Sequence, residues 1–503
     1  MLDPAVGIRN LADVWTECVR RFPRKAAMRV PGLELTYADV DARARSLAAA
    51  LRSKLGVRQG DHVAVLMRNC PEFFLAYWAT HLVGGVVAAI SPKLSRREAD
   101  HVIRISAPVV LLTDGSANAL TQGAAIQTIV GLDALRAMCS ESGPGTALEP
   151  PATRPDDLAV LAHTSGTTGE PKIAEVTHAN LLFNLRLAIL AHSLRHEDVI
   201  LVGVPMFHCT PLYSLMPAVA YLGATLIITA ETSAVAQAST GAASGATVWF
   251  GVPTLFHQLA ASPENLDERM RELRLLAYAG SPMRLETIRR LKARWPVLAL
   301  HNFFGLTETI SMTHVLPAQD ALDRADSVGK VLPEVYVRIL GEDGREVPRG
   351  QVGELCFHRR NVIRGYLGMP GLLDRSFSGD WFRTGDLAME DENGYLHLRG
   401  RSKDMIVVAG ENVYAAEVEG VLSRCPGVGD VAVVGVRAEG VRASLGELVK
   451  AVVVRSAGAK LGELDVKRFA AGGLASYKVP HIVEFRDSLP RNATGKVLKE
   501  QLR

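Results

Sequence analysis

The feature that most restricts the fold of this chain is the alternation, through its N-terminal half, of short uninterrupted apolar runs with helix-like segments. Residues 61–67 read as a strand, and a helix opens near Pro71. Gly84-Gly85 ends that helix, and residues 86–90 (Val-Val-Ala-Ala-Ile) form the next strand. Ser95 and Glu98 have the spacing of a capping box for another helix. Residues 109–112 are a buried strand closed by Asp114-Gly115, and the same texture returns at 225–229, 247–250, 275–279 and 298–304. Strands without a polar face are covered on both sides, so they predict mostly parallel sheets flanked by helices. Ligands gather at the carboxyl ends of such strands. Glycine-bearing loops follow strands in this way after Ala162, Ala279 and Phe304.

A chain of 503 residues needs more than one core. From about 327 to 398, short strands at 335–340 and 354–357 alternate with Gly and Pro turns, the texture of a small β subdomain. A polar junction, Arg401-Ser402-Lys403-Asp404, precedes a compact segment with its own strands at 431–436 and 449–454. The predicted fold class is therefore α/β. A large N-terminal domain, 1–402, carries mostly parallel sheets flanked by helices and includes the β subdomain. A small α+β C-terminal domain spans 403–503. Residues 113–154 are weakly patterned and read as an exposed excursion.

Composition excludes several classes of function. A net charge of +3 gives no basic face for nucleic acid. Residues 73–90 are uncharged, but the Pro71 start and the Gly84-Gly85 stop make them a helix and a strand rather than a membrane span. None of the six cysteines has a C-x-x-C spacing, so a disulfide framework or a zinc site is not expected, and a cytoplasmic location is. The start of the chain lacks a signal-peptide pattern.

The strand-like residues 158–162 run into His163-Thr164-Ser165-Gly166-Thr167-Thr168-Gly169-Glu170-Pro171-Lys172. Glycines let such a loop aim several N–H groups at one point. With hydroxyls and an ammonium they suit a polyphosphate. The common NTPase loop ends Gly-Lys-Ser/Thr, whereas here Pro171 precedes Lys172. Four more segments carry polar chemistry. They are Asn302-Phe303-Phe304-Gly305-Leu306-Thr307-Glu308-Thr309, Trp381-Phe382-Arg383-Thr384-Gly385-Asp386, Gly400-Arg401-Ser402-Lys403-Asp404 and Pro490-Arg491-Asn492-Ala493-Thr494-Gly495-Lys496.

In this order the five segments resemble the acyl-adenylate-forming superfamily, which includes acyl-CoA synthetases. The resemblance implies ATP-dependent conversion of a carboxylic acid to an acyl-adenylate, then transfer of the acyl group to coenzyme A. It implies ATP, Mg²⁺ and CoA as cofactors and co-substrates. Lys496 would bridge the substrate carboxylate and the α-phosphate. Thr164, Ser165, Gly166, Thr167, Thr168, Gly169 and Lys172 would hold phosphates. Gly280, Ser281 and Pro282 would wall the adenine, on which Phe304, in place of the family's usual tyrosine, would stack beside Asn302, Phe303 and Gly305. Thr307 would touch phosphate and Glu308 would hold the metal. Asp386 would bind the ribose and Arg401 the nucleotide. Lys403 would be the hinge on which a mobile C-terminal domain turns. The acyl pocket would draw on Phe207, His208, Trp249, Gly251, Gly280 and Gly305.

Some positions depart from the family pattern. Ile173 stands for a glycine, His163 for a tyrosine, Ala409 for a glycine and Ala415 for a proline. Residues 201–230 and 241–262 contain no Asp or Glu. A buried substrate ammonium would lack a partner there, so an apolar aliphatic or aryl monocarboxylate is expected. Coenzyme A is favoured as acceptor over the pantetheine arm of a carrier protein. A nucleotide-binding relative without catalysis is the remaining alternative. The tail also resembles segments that a protein acetyltransferase modifies in acyl-CoA synthetases, at the position of Lys496.

Overall fold

The computed structural model describes residues 7–503 apart from 118–119, 121–125, 141–150, 165–170, 263–265, 267–269, 282, 409–410, 439–446 and 492–496. It divides into two compact units, residues 1–336 with 359–375, and residues 337–358 with 376–503. The expected boundary at Lys403 falls inside the second unit, which groups the β subdomain with the C-terminal segment.

The first unit is built on two large sheets. One has nine strands in the order Lys330–Val331, His314–Leu316, Ala299–Phe304, Leu275–Tyr278, Val248–Gly251, Val199–Val202, Thr225–Ile228, Ala26–Val30, Leu33–Thr36. The strands from Ala299–Phe304 to Ala26–Val30 in this order are parallel. The other sheet has seven strands in the order Gly365–Tyr366, Lys172–Thr177, Leu158–Thr164, Val86–Ala89, His62–Leu66, Val110–Thr113, Ile129–Val130. The last five of these pair in parallel, while Lys172–Thr177 pairs antiparallel with both of its neighbours.

The sequence pattern explains these elements. Val86–Ala89, Thr225–Ile228, Val248–Gly251 and Leu275–Tyr278 are buried at every residue, as strands covered on both faces must be. Helix starts are fixed by side chains. Thr36 with Asp39, Ser95 with Glu98 and Thr177 with Asn180 close capping boxes on helices Tyr37–Ser53, Arg96–Ser106 and His178–His192. Helix Pro71–Leu82 begins on the expected proline and is buried from Glu72 to Leu82. Among the described residues no helix is long and apolar enough to cross a membrane. The segment 113–154 is more structured than expected. It contains strand Ile129–Val130 and helix Leu132–Ser140, whose amphipathic face buries only Leu135 and Cys139 and so left a faint pattern.

The second unit holds a five-stranded antiparallel sheet built from Val337–Leu340, Val352–His358, Phe377–Ser378, Trp381–Glu390 and Leu396–Arg401. A hairpin, Met405–Val408 with Glu411–Tyr414, and a sheet of Val428–Arg437, Glu447–Arg455 and Ile482–Phe485 follow. Helices Ala415–Leu422 and Glu463–Ala471 cover that sheet through Val418, Leu422, Val466 and Ala470, which are buried with Val433, Val449 and Val453. The observed architecture is the predicted one, α/β with a large N-terminal part of parallel sheets and a smaller β-rich C-terminal part.

Candidate active site

Parallel neighbours deliver their loops to one edge. The chain leaves Val199–Val202, Leu275–Tyr278 and Ala299–Phe304 on the same side of the nine-stranded sheet, and His62–Leu66, Val86–Ala89 and Leu158–Thr164 on one side of the other. Two hydrogen bonds of one side chain join these edges. Asn69, just past His62–Leu66, donates to the Val204 carbonyl (2.9 Å) and accepts from the Met206 N–H (2.7 Å). His163 Nε2 accepts from the Ser91 N–H at 3.1 Å, which assigns its remaining proton to Nδ1 when the ring is neutral. Burial lowers the His163 pKa to about 4.

Beyond Asn69's contacts, the Phe207 ring stacks with that of His163, with ring centres 6.4 Å apart, and meets the tilted ring of His208 at 4.6 Å. Burial, with help from His163 and Lys93, lowers the His208 pKa to about 4, so it is neutral at pH 7. Cys209 interacts with Thr307 and Ser311, which brings the His208 segment against the loop after Ala299–Phe304. A π-helix, Thr210–Leu215, continues the segment, a geometry frequent at functional sites. Its Tyr213 hydroxyl is fully buried with no hydrogen-bond partner among the described residues.

The loop 305–311 is unusually closed. A Cβ on Gly305 would sit 1.2 Å from the Ser311 carbonyl oxygen. Ile310 and Ser311 adopt φ of 61° and 77°, rare for residues with side chains and costly by roughly 1–3 kcal/mol each. Backbone bonds from Ser311 to the Leu306 carbonyl and from Thr313 to the Phe304 carbonyl hold it shut. The loop presents Thr307 and Glu308, both half-buried. Glu308 Oε1 accepts from the Tyr366 hydroxyl at 2.7 Å. The Lys172 ammonium lies 5.0 Å from the centre of the Tyr366 ring. Burial, reinforced by Glu308, pushes the Tyr366 phenol above its ordinary range and keeps it protonated.

The structure thus brings Lys172, Thr307, Glu308 and Gly305 together, with Thr164 opposite Lys172 across a hairpin. Gly280, at φ +90° with open space around it, and exposed Ser281 end the Leu275–Tyr278 strand. On Ala299–Phe304, Asn302 donates to the Ser327 carbonyl at 3.0 Å. Phe303 packs edge-to-face with His192 and Phe250 in the core, while Phe304 is half-buried beside His314. Trp249 is also a core residue. Its indole N–H donates to Gln237 at 3.2 Å and its ring meets Phe256. Gly251 is tight against Phe256.

In the second unit, Asp386 and Arg401 are register partners on adjacent strands, and their side chains form an ion pair of 2.8 Å. Asp386 is buried. Its turn is set by Thr384 Oγ1, which accepts the Asp386 N–H, and by Glu354, which accepts the Gly385 N–H and the Arg383 guanidinium. Ser165, Gly166, Thr167, Thr168, Gly169, Pro282 and Lys496 lie outside the described residues, as does the side chain of Lys403. The flanks of Lys496 are placed. Arg491 bridges to Val497, and Lys499 pairs with Glu419 at 2.7 Å.

Sequence reasoning missed Tyr366, Asn69, Tyr213 and the Asp386–Arg401 pairing. Each depends on contacts between segments whose proximity no local pattern encodes. Only the Gly-Tyr of 365–366, inside a strand-breaking stretch, offered any signal.

A model of the AMP-binding enzyme family matches residues 15–367, and one of the AMP-binding enzyme C-terminal domain matches 417–496. The chain belongs to the AMP-binding enzyme family. It is 34% identical over 491 residues to the feruloyl-CoA synthase of an Amycolatopsis species, covering 96% of each chain. Its fold is similar to that of ATP-bound MatB from Rhodopseudomonas palustris, with 31% identity, a TM-score of 0.87 and 98% of each chain covered. It is also similar to the o-succinylbenzoate CoA synthetase of Bacillus subtilis in complex with its acyl-adenylate intermediate, with 26% identity, a TM-score of 0.87, and 99% and 98% of the two chains covered. The chain is an AMP-forming acid–thiol ligase of the acyl-CoA synthetase type.

The donor set fits the family's magnesium. Among the described residues no three His, Cys, Asp or Glu side chains converge. A metal at Glu308 would take this carboxylate together with phosphate and water oxygens, the habit of Mg²⁺. Glu308 still has its Oε2 for that role, since Tyr366 bonds Oε1.

Proposed function

We propose that this enzyme joins an apolar aliphatic or aryl monocarboxylic acid to coenzyme A. A carboxylate oxygen bonds to the α-phosphorus of ATP and pyrophosphate leaves. The thiol sulfur of CoA then bonds to the acyl carbon and AMP leaves. The observation that carries the reading is the meeting of Lys172, Thr307 and Glu308 beside the neutral His208 segment, where strands of two parallel sheets end.

Thr164, Ser165, Gly166, Thr167, Thr168, Gly169, Lys172 and Thr307 bind the phosphates, and Phe304 offers a ring face to adenine. Asp386 accepts the ribose hydroxyls, oriented by Arg401. Glu308 would hold Mg²⁺, which would supply positive charge against the phosphates. Lys496 brings an ammonium to the carboxylate and α-phosphate, a contribution of roughly 3–4 kcal/mol. The junction at Lys403 divides an N-terminal part, 1–402, from a mobile part, 403–503, and withdraws Lys496 before the thiol attacks.

Two observations support the choice of acid. Neither 201–230 nor 241–262 contains an acidic residue to pair with an amino group, and burial leaves His208 uncharged. The 34%-identical relative is named for an aryl acid, which favours an aryl substrate. The six cysteines are all free thiols, which suits the cytoplasm.

The test is pyrophosphate exchange with a panel of aryl, aliphatic and amino acids, followed by AMP release with CoA or with a pantetheinylated carrier protein. Exchange with apolar acids and AMP release with CoA are expected. Turnover only with the carrier would reassign the acceptor. No exchange with any acid, despite ATP binding, would make the chain a non-catalytic relative.

A further inference from the structure

The segment carrying Tyr366 is fixed from two sides. Gly365–Tyr366 pairs antiparallel with Lys172–Thr177, with Tyr366 opposite Ala174. The Arg364 and Leu367 N–H groups bond to the carbonyls of Glu175 and Ile173 at 3.1 and 2.9 Å. Arg364 adds an ion pair to Glu175 at 3.3 Å. On the other side, the Ile363 N–H bonds to the Glu308 carbonyl at 2.9 Å. Tyr366 is thereby held between the exit of the phosphate loop and the Glu308 loop. It is 8% exposed. It touches each side by a different chemistry, its ring face beneath the Lys172 ammonium and its hydroxyl on Glu308 Oε1.

We propose that Tyr366 is a positioning residue for adenylation, its hydroxyl fixing the Glu308 carboxylate for the metal and its ring fixing the Lys172 ammonium for phosphate. The inference rests on the assignment of Glu308 as metal holder. A carboxylate with one oxygen bonded to a rigid phenol cannot swing away, so its other oxygen stays available. Partners of metal ligands that act in this way are worth about 10- to 100-fold in metal affinity. An ammonium over an aromatic face gains electrostatic attraction and is held in place. The two roles separate by substitution. Tyr366→Phe removes the hydroxyl and keeps the ring, whereas Tyr366→Leu removes both.

The experiment titrates Mn²⁺, read by electron paramagnetic resonance of the free ion, into the full chain with ATP and no acid. Parent, Glu308→Gln, Tyr366→Phe and Tyr366→Leu are compared. Glu308→Gln should lose the enzyme-held ion. Tyr366→Phe should weaken it about 10-fold while leaving the KM for ATP at saturating metal within about 2-fold of the parent. Tyr366→Leu should weaken the ion equally and also raise that KM. If Glu308→Gln binds Mn²⁺ like the parent, the assignment of Glu308 fails. If Glu308→Gln loses the ion and Tyr366→Phe retains it at parental affinity, the role of Tyr366 is overturned. A nearly isosteric probe guards against misfolded variants. With 3-fluorotyrosine at position 366, the fluorine resonance should move when Mg²⁺ joins ATP, and not in Glu308→Gln. An unmoved resonance in the parent background also overturns the proposal.

Discussion

Replacing Gly305 with alanine tests whether the geometry of the 305–311 loop sets the rate. The added Cβ would lie 1.2 Å from the Ser311 carbonyl oxygen and 2.3 Å from its carbon. Both are backbone atoms, so no rotamer change relieves the overlap, and the loop must open by about 2 Å. That displacement falls on Thr307 and Glu308, between the two colliding residues. Misplacing reacting groups by about 1 Å costs roughly 100-fold. Gly305→Ala should therefore lower kcat/KM for acid-dependent pyrophosphate exchange by at least about 100-fold. Thiolation of a synthetic acyl-adenylate should fall far less. Gly32→Ala, in the turn between Ala26–Val30 and Leu33–Thr36, is the control. Gly32 has φ +78° but no atom within 4 Å of its hypothetical Cβ, so its backbone strain, about 1–2 kcal/mol, is the only direct penalty. The two rates come from radiolabelled pyrophosphate exchange, with melting temperatures to confirm folding. Exchange by folded Gly305→Ala within about 3-fold of the parent would show that the closed 305–311 geometry does not set the rate.

Asp386→Asn and Arg401→Met should each raise the KM for ATP, and the double variant should be no worse than the poorer single one, because the two side chains form one ion pair of 2.8 Å. Additive losses in steady-state kinetics would contradict that unit. Burial holds the folded-state pKa of His163, His178, His208 and His301 at about 4. An unfolded chain takes up these protons near pH 6.5, so stability must fall as the pH drops from about 6.5 to about 4, by up to roughly 1.4 kcal/mol per pH unit for each histidine. A melting temperature that is flat or rises on acidification through that window would oppose this sign. Acetylation of Lys496 removes its charge and should block adenylation while sparing thiolation of preformed adenylate. Equal adenylation by acetylated and unmodified enzyme in pyrophosphate exchange would rule the switch out.

The parallel sheets were legible because their strands are buried at every position, so Val86–Ala89 and Leu275–Tyr278 appear as unbroken apolar runs bounded by glycine. Helix Leu132–Ser140 was not, since two buried side chains make a weak stripe. Strand order was equally hidden. Val199–Val202 lies between Thr225–Ile228 and Val248–Gly251, a crossover that depends on tertiary packing. At the site, Glu308 and Lys172 stood out as charges in glycine-bearing loops. Tyr366 did not, because its meaning comes from pairing with a strand far back in the chain. Trp249 carried an apolar signal that suits a pocket or a core alike. Its bond to Gln237 and its packing on Phe256 place it in the core.

The proposed reaction requires the Lys496 ammonium at the carboxylate and α-phosphate in adenylation alone. Lys496→Met, of similar length and uncharged, tests it directly in one preparation assayed for both half-reactions. Adenylate formation should fall by about 100-fold or more, with CoA thioester formation from synthetic acyl-adenylate close to the parental rate. Adenylate accumulating at the parental rate in Lys496→Met, or both half-reactions falling together in a folded enzyme, would contradict it.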